Sequence, residues 1–302
     1  MGGMGGTGTG RDVMKSIASA LPAVLALTGC IMLAPAAHAL DATMARIKKG
    51  GVIVMGHRDA AVPFSYVDAG VVKGYSIDLC MAVADAVRRD LGAKEIKVKW
   101  VPVNAQDRFA AVRSGKVDIE CGVTTNTLGR QKEVDFSPMT FVDGANILVR
   151  NESSVRSVLD LAGKSVAVAG GTTTESALKA GFAQRKIDGR LVAVKDHVEG
   201  IAAVMSGKVD AYAADQSVLI GLALAAGGAS LLRMPAEQFS YEPYGLMFRR
   251  GQPDFRASVT RGLAEVYRSP QLAELFSRWF AAMGGKPSPL LETMFILNAL
   301  PD

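Results

Sequence analysis

AAVRSGKVD at residues 110–118 returns as AAVMSGKVD at residues 202–210, with eight of the nine positions identical. In each copy an amphipathic helix ends at a Ser-Gly pair, and a Val-Asp pair then opens a strand. Junctions of this kind are common in α/β proteins, but coincidence is a poor explanation for so many identities. The repetition therefore predicts that one helix-turn-strand unit is used twice, in two lobes of similar topology.

The segments around the first copy alternate between strand and helix patterns. Short β-branched or apolar runs that predict strands occupy residues 51–56, 96–103 and 117–121, and apolar residues at helical spacing occupy 76–91 and 106–113. Such alternation is typical of a parallel sheet with crossover helices. The predicted fold class is therefore α/β.

The second copy lies in a block that begins with a predicted strand at residues 164–169. A strand pattern at 240–248 and an amphipathic helix to about residue 280 follow, and these elements need a sheet to join. We predict that they return to the first lobe, so that lobe I is 40–143 plus 240–302 and lobe II is 144–239. The chain then crosses twice between the lobes, in a two-stranded hinge with a ligand cleft beside it. The residues after 284 are predicted to form a surface tail.

The N-terminal segment predicts export. Arg11 and Lys15 precede an apolar run over 17–33, and Ala37-His38-Ala39 has the small-x-small pattern that signal peptidase recognises. We predict a signal peptide at 1–39, cleavage after Ala39 and a periplasmic mature protein. An alternative is a lipoprotein anchored through Cys30, because Cys30 ends the lipobox-like sequence LTGC.

Removal of residues 1–39 leaves 263 residues, with 32 basic and 28 acidic side chains and a net charge of +4. This weak charge, without a cluster of five or more Lys and Arg residues, argues against nucleic acid as a partner. The length favours two lobes over one core. Cys80 and Cys121 remain, and the sequence leaves open whether they form a disulfide or two buried free thiols.

Three arginines are candidates for a ligand cleft. Arg58, Arg108 and Arg130 each lie at the edge of a predicted strand or short helix, and such edges line the crevice of a parallel sheet. A guanidinium binds a carboxylate with two parallel hydrogen bonds. A lone arginine is more often a solvated surface charge, which is how we interpret Arg113.

Two further features point to the same cleft. The sequence GTTTE at 171–175 predicts a helix N-terminus, with Thr172 and Glu175 at capping-box spacing, and free N–H groups there would attract a carboxylate. Val123 and Asp215 follow the two copies of the repeat at the same offset, so both are expected at the cleft. The alternatives are an ordinary cap at Thr172 and an N-cap role for Asp215.

Several motifs together resemble the polar amino-acid solute-binding proteins of ABC importers (family 3), whose fold is the periplasmic binding protein-like fold. The resemblance covers nearly the whole mature chain. Its motifs are GHR at 56–58, VPFSY at 62–66, GYSID at 74–78, RQKEVDFS at 130–137 and GTTT at 171–174. Three further short sequences are similar to those of the glutamate/aspartate-binding branch of this family: HR at 57–58, TTN at 124–126 and KDH at 195–197.

The resemblance implies roles for individual residues. Arg130 would bind the α-carboxylate of an acidic amino acid, while Arg58 and Arg108, with His197, would bind its side-chain carboxylate. Asp215 would bind the ammonium, helped by the hydroxyl of Thr125 and the carbonyl of Val123. Thr172 and Thr173 would contribute from the helix N-terminus.

Three positions depart from the family pattern. Val123 stands where close relatives carry serine, and Ala105 and Ala169 also replace hydroxyl residues. The carboxylate-binding residues are retained, so the resemblance implies an acidic ligand but leaves open glutamate, aspartate or a larger diacid.

An enzyme on the same scaffold, similar to cyclohexadienyl dehydratase, is the main rival. It would need a cleft acid, and Asp215 is the only carboxylate found in the cleft motifs. The P-loop-like residues 163–165 lack a glycine at Val158, and no closely spaced Cys/His set predicts a metal. We therefore predict a monomeric binding protein without cofactor, with glutamate or aspartate as ligand and the ABC transporter membrane subunits as partners.

Overall fold

A computed structural model of the protein describes residues 1–2, 39–235 and 237–301. The chain divides into two compact units, Met1–Ala39 and Leu40–Asp302. Most of the predicted signal peptide, including Cys30, lies outside the described residues. The second unit begins at the residue after the predicted cleavage site, and its secondary structure starts at once.

Helices and strands alternate along the second unit, as the sequence patterns predicted. The α-helices are α1 (Ala42–Gly50), α2 (Tyr75–Asp90), α3 (Arg108–Arg113), α4 (Thr173–Arg185), α5 (His197–Met205), α6 (Gln216–Ala225), α7 (Pro253–Arg268), α8 (Gln271–Phe280) and α9 (Pro289–Asn298). The strands are β1 (Val52–His57), β2 (Ala60–Ala61), β3 (Ser65–Asp68), β4 (Val71–Lys73), β5 (Lys97–Pro102), β6 (Ile119–Glu120), β7 (Asp135–Phe136), β8 (Phe141–Asp143), β9 (Ala145–Arg150), β10 (Ser165–Ala169), β11 (Arg190–Val194), β12 (Ala211–Asp215), β13 (Leu232–Arg233), β14 (Glu242–Tyr244) and β15 (Met247–Phe248). In the described part of the chain, no helix is long and apolar enough to cross a membrane.

Two mixed sheets organise this unit. The first has the strand order β5-β1-β6-β15-β7, and the second has the order β11-β10-β12-β9-β13. In each sheet the first three strands are parallel and the next strand runs antiparallel to them. The expectation of parallel sheets was thus correct for the strands joined by helices, whereas the strands next to the hinge return in the opposite direction.

The sequence repeat has the same backbone geometry in both sheets. Ser114 and Ser206 are the C-cap residues of α3 and α5, and the following glycines, Gly115 and Gly207, both have φ of 74°. A positive φ at this position ends a helix, and glycine adopts it without steric cost. The Ser-Gly pair therefore stops each helix and directs the chain into the next strand.

The aspartate that ends each copy ties that strand to its neighbour. The Asp118 N–H donates to the Val54 carbonyl at 2.8 Å, and the Asp118 carboxylate accepts from the Val54 N–H at 2.7 Å. Asp210 makes the same pair of bonds with Ser165, at 2.9 Å and 2.8 Å. The repeat thus encodes the same pair of hydrogen bonds between neighbouring strands twice, which explains why the aspartate recurs together with the helix end.

A two-stranded connection joins the sheets. Strands β8 and β14 pair antiparallel, with Asp143 opposite Glu242 and Phe141 opposite Tyr244. The predicted strand at 240–248 is divided, because β14 pairs with β8 whereas β15 joins the first sheet. We infer the lobe boundaries from these two crossings, at 143–144 and 239–240.

The C-terminal residues differ from the predicted tail. They form α9, which buries Leu291, Met294 and Phe295 against the rest of the protein. Ser288 caps the helix by accepting a hydrogen bond from the Leu291 N–H, and Pro289 occupies its first position. Proline is favoured there because its missing N–H is not needed. The Pro-Ser-Pro sequence was wrongly interpreted as a surface tail and is in fact a helix start.

The structure joins Cys80 and Cys121 in a disulfide, the first of the two possibilities left open by the sequence. Both side chains are buried, and the bridge closes a loop with a sequence separation of 41 residues between α2 and β6. Cross-linking a loop of this size restricts the unfolded chain, so reduction is expected to lower the free energy of unfolding by about 2–4 kcal/mol.

Urea unfolding of the mature protein with and without reductant measures this difference. A variant carrying both Cys80→Ala and Cys121→Ala is the control, since its unfolding midpoint should not respond to reductant. An unchanged midpoint for the parent protein, with the thiols shown to be reduced, would contradict the expected stabilisation.

Candidate functional site

A small cavity of about 20 Å³ lies where strand ends from both sheets meet. Its wall is formed by Arg58, Arg108, Val123, Thr125, Ala169, Thr172, Thr173, Thr174, His197, Ala213, Ala214 and Asp215. Arg58 directly follows β1, and Ala169 and Asp215 end β10 and β12. These are carboxyl ends of strands, where α/β sheets bind their ligands. Every predicted site residue except Arg130 is in this wall.

Two buried arginines dominate one side of the cavity. Arg58 is 4% exposed and Arg108 is 2% exposed, and neither guanidinium forms an ion pair with a carboxylate of the described residues. The Nε of Arg108 has no hydrogen-bond partner. Burial, followed by the charge of Arg58, lowers the pKa of Arg108 to about 9. Buried cations are costly without a counter-ion, so this arrangement favours an anion in the cavity.

His197 supplies a neutral donor beside these charges. It is the first residue of α5, and burial together with the charges of Arg58 and Arg108 lowers the pKa of His197 to about 3. Its Nδ1 lies 2.6 Å from the hydroxyl of Tyr212, whose pKa is raised by burial. When this hydroxyl donates to Nδ1, the ring hydrogen is on Nε2, where it can donate to a carboxylate.

Arg130 lies at the edge of the cavity and reaches towards both lobes. Its Nη1 donates to the Thr125 carbonyl at 2.9 Å, and its Nη2 is 3.5 Å from the carbonyl of Gly171. The guanidinium carbon is 5.3 Å from the centre of the Phe109 ring. Burial lowers the pKa of Arg130, and the negative charges of Glu242 and Asp215 partly offset this decrease. Arg130 is thus held close to Thr125 but is not among the wall residues.

Asp215 provides a carboxylate acceptor in the cavity wall. It accepts hydrogen bonds from Tyr244 at 2.5 Å and Thr174 at 3.1 Å, while its side chain makes no capping bond to α6. Asp215 is therefore the N-cap residue of α6 by position, as the alternative had it, but its carboxylate is directed to Tyr244 and Thr174 instead of capping the helix. Burial, then the negative charges of Glu242 and Asp143, raise the pKa of Asp215 to about 7.

The start of α4 follows its sequence signature. Thr172 is the N-cap and accepts from the Glu175 N–H at 3.1 Å, while Glu175 accepts from the Gly171 N–H at 2.9 Å. Gly171 has φ of 75°, which suits glycine. The Glu175 carboxylate accepts from the residue before the N-cap and not from Thr172 itself, so only the Thr172 half of the predicted capping box is formed. Thr172 and the first two residues of α4 lie in the cavity wall.

Of the three departures from the family pattern, Val123 and Ala169 lie in the wall itself. Ala105 is buried but is not a wall residue. With Ala213 and Ala214, these side chains make part of the cavity surface apolar. In the described residues, no group of His, Cys, Asp and Glu could hold a metal ion.

Glu242 and Glu120 were missed by the sequence patterns. Glu242, 1% exposed, accepts from the hydroxyls of Thr125 and Thr173 at 2.5 Å and 2.6 Å. Glu120 is fully buried and accepts from Thr124 at 2.8 Å. Neither glutamate is a wall residue, so Asp215 is the only carboxylate in the described cavity wall, but Glu242 and Glu120 lie directly behind threonines of the cleft loop. A charged residue inside the predicted strand at 240–248 was the available signal for Glu242.

Two lobes around a charged cavity define a ligand-binding protein of the periplasmic binding protein-like fold. The chain belongs to the bacterial extracellular solute-binding proteins, family 3, whose family model matches residues 53–282. It is 36% identical over 258 residues to the L-glutamate/L-aspartate-binding protein of Pseudomonas aeruginosa, covering 84% of this chain and 85% of that protein. It is 33% identical over 268 residues to the glutamate/aspartate import solute-binding protein of Escherichia coli, covering 88% and 89%.

A solved structure gives the same result for the fold. The ancestral amino acid-binding protein AncCDT-1, a precursor of cyclohexadienyl dehydratase, is 29% identical with a TM-score of 0.68, covering 79% of this chain and 99% of that chain. These three relatives are binding proteins. The chain is accordingly a solute-binding protein rather than an enzyme.

Proposed function

We propose that the protein is the solute-binding component of an ABC importer and that its ligand is an acidic amino acid, glutamate or aspartate. The observation that carries this proposal is the pair of buried guanidinium groups, Arg58 and Arg108, neither of which forms an ion pair with a carboxylate of the described residues. The names of the glutamate- and aspartate-binding relatives support it.

The cavity offers a distinct partner for each charged group of such a ligand. Arg58, Arg108 and the neutral His197 bind the side-chain carboxylate, and Arg130 binds the α-carboxylate. Asp215 binds the ammonium, together with the hydroxyl of Thr125 and the carbonyl of Val123. The first turn of α4, with Thr172 and Thr173, completes the surroundings from the second lobe.

Lobe movement is required for entry. A cavity of about 20 Å³ has room for a water molecule but not for an amino acid. Contacts between the lobes, such as Thr125 with Thr173 at 3.2 Å and Arg130 with Gly171, must separate to admit the ligand. We propose that the β8–β14 connection acts as the hinge and that the transporter membrane subunits recognise the closed form of a monomer.

We propose that the mature protein begins at Leu40 in the periplasm. The fold starts just after this point, where the Asp41 side chain caps α1 and also accepts from the Phe255 N–H at 2.8 Å. Mass spectrometry of the exported protein tests the proposal. A diacylglyceryl group on Cys30 would instead establish the lipoprotein alternative.

Glutamate affinity is expected to rise as the pH rises through about 7, the pKa of Asp215. The ammonium needs an ionised Asp215, so below this pKa Asp215 must lose a proton before glutamate binds. The Kd for glutamate therefore increases up to about ten-fold for each pH unit by which the pH falls below the pKa. His197 is neutral over this range because its pKa is about 3.

Titrations between about pH 6 and pH 8 measure this dependence, with Asp215→Asn as the control. The control should bind more weakly and with a flat pH profile. Parent protein whose affinity does not change over this range would contradict the assignment of Asp215 to the ammonium.

A larger diacid is a second candidate ligand. Arg58 and His197 are also part of the wall of an adjoining pocket of about 270 Å³, which includes Lys195 together with Asp59, Asp107 and Asp196. A ligand longer than glutamate could extend into this pocket, where Arg58 and Lys195 are the cations available to its distal carboxylate. A thermal-shift screen of the mature protein against the common amino acids and small diacids separates the candidates, because a ligand raises the stability by RT ln(1 + [L]/Kd). Stabilisation by neutral or basic amino acids alone would refute the proposed function.

A further inference from the structure

One carboxylate connects the two lobes through hydroxyl groups. Glu242 begins β14, and its Oε2 accepts from Thr125 of the first lobe at 2.5 Å and from Thr173 of the second at 2.6 Å. Its Oε1 accepts from Ser240 at 2.5 Å. All three donors converge on a side chain that is 1% exposed and is not itself among the cavity wall residues.

Backbone contacts explain why Thr125 reaches this carboxylate. The loop after β6 runs beside β14, where the Asn126 N–H donates to the Pro243 carbonyl at 2.7 Å and the Gly245 N–H donates to the Thr124 carbonyl at 3.2 Å. Thr173 comes from the other side, as the first residue of α4. The two hydroxyl oxygens lie 3.2 Å apart in the cavity wall.

The hydrogen bonds to Glu242 determine whether these hydroxyls donate a hydrogen bond to a ligand or accept one from it. A hydroxyl has one hydrogen and two lone pairs, and a carboxylate can only accept. When Thr125 and Thr173 both donate to Glu242, their oxygens can only accept from a ligand. Two adjacent acceptors suit an ammonium and disfavour a carboxylate, whereas Arg58 and Arg108 in the same wall can only donate.

We propose that Glu242 is a positioning residue that holds the hydroxyls of Thr125 and Thr173 as acceptors and so makes the cavity select amino diacids over diacids without an ammonium. This inference rests on the proposed function and names the part of the ligand that Glu242 selects. Because Glu242 acts through the threonines, its replacement changes the ratio of two affinities rather than carboxylate binding as such.

Calorimetric titration with glutamate and with glutarate, the same diacid without the ammonium, tests the inference. Glu242→Gln places an amide N–H₂ where it can donate to the threonines and turn them into donors. The ratio of glutamate to glutarate affinity is expected to fall about ten- to a hundred-fold, mostly through loss of glutamate binding. Glu265→Gln is the matched control, since Glu265 lies on α7 and pairs with Arg89 at the surface. It should keep the parent ratio.

A second variant covers the case in which Glu242→Gln does not fold. Thr173→Val keeps the shape of the side chain but removes one acceptor, so the ratio should again fall. Equal weakening of both ligands by Glu242→Gln, or an unchanged ratio in Thr173→Val, would overturn the positioning role while glutamate binding by the parent protein stands. Parent protein that does not bind glutamate would overturn the proposed function and this inference together.

Discussion

Arg58→Ala is expected to weaken glutamate binding by about thirty-fold to several thousand-fold, because truncating one partner of a buried charge pair costs about 2–5 kcal/mol. Glutamine, which carries an amide in place of the side-chain carboxylate, should lose far less. We expect this difference because Arg58 is buried in the cavity wall with Arg108 and His197, the residues assigned to the side-chain carboxylate.

Arg113→Ala is the matched control for this variant. Arg113 is exposed at the end of α3 and pairs with Glu133, as expected for a surface arginine. Calorimetric titration of both variants with glutamate and glutamine should show a selective loss in Arg58→Ala and none in Arg113→Ala. Equal losses of the two ligands in Arg58→Ala would mean that Arg58 is structural.

Arg130→Ala is expected to weaken every amino-acid ligand, by a similar factor of about thirty-fold or more, since the α-carboxylate is common to all of them. Its guanidinium is close to Thr125 and Gly171, so it can reach a carboxylate held between the lobes.

The same titrations distinguish this role from that of Arg58. In Arg130→Ala the affinities for glutamate and glutamine should fall together, and the preference between them should be retained. Unchanged glutamate affinity would show that Arg130 serves only to hold the loop at Thr125 and that the α-carboxylate is bound elsewhere.

Local signals predicted most of the cavity. The repeat predicted that Val123 and Asp215, at the same offset from its two copies, lie in one cleft. Both are in the cavity wall, although Asp215 ends β12 whereas Val123 lies three residues beyond the end of β6. The capping box at Thr172 predicted the start of α4 because capping depends on residues close in sequence. Such patterns succeed where the contacts that form a structure lie within a few residues of each other.

The parts that were missed depend on contacts between distant segments. Glu242 meets Thr125 across 117 residues, because the loop after β6 docks on the hinge strand. The disulfide between Cys80 and Cys121 likewise depends on how α2 packs near β6. Neither pairing has a periodic or short-range signature, so the sequence patterns could not identify the carboxylate behind Thr125 or choose between a disulfide and free thiols.

Calorimetric titration of the mature parent protein with glutamate and with glutamine tests the central claim most directly. We predict saturable binding of glutamate at a single site with a Kd near the micromolar range, about −8 kcal/mol, and binding of glutamine weaker by about thirty-fold or more. Glutamine bound as tightly as glutamate, or no binding of any acidic amino acid, would contradict the assignment of the two buried arginines to a ligand carboxylate.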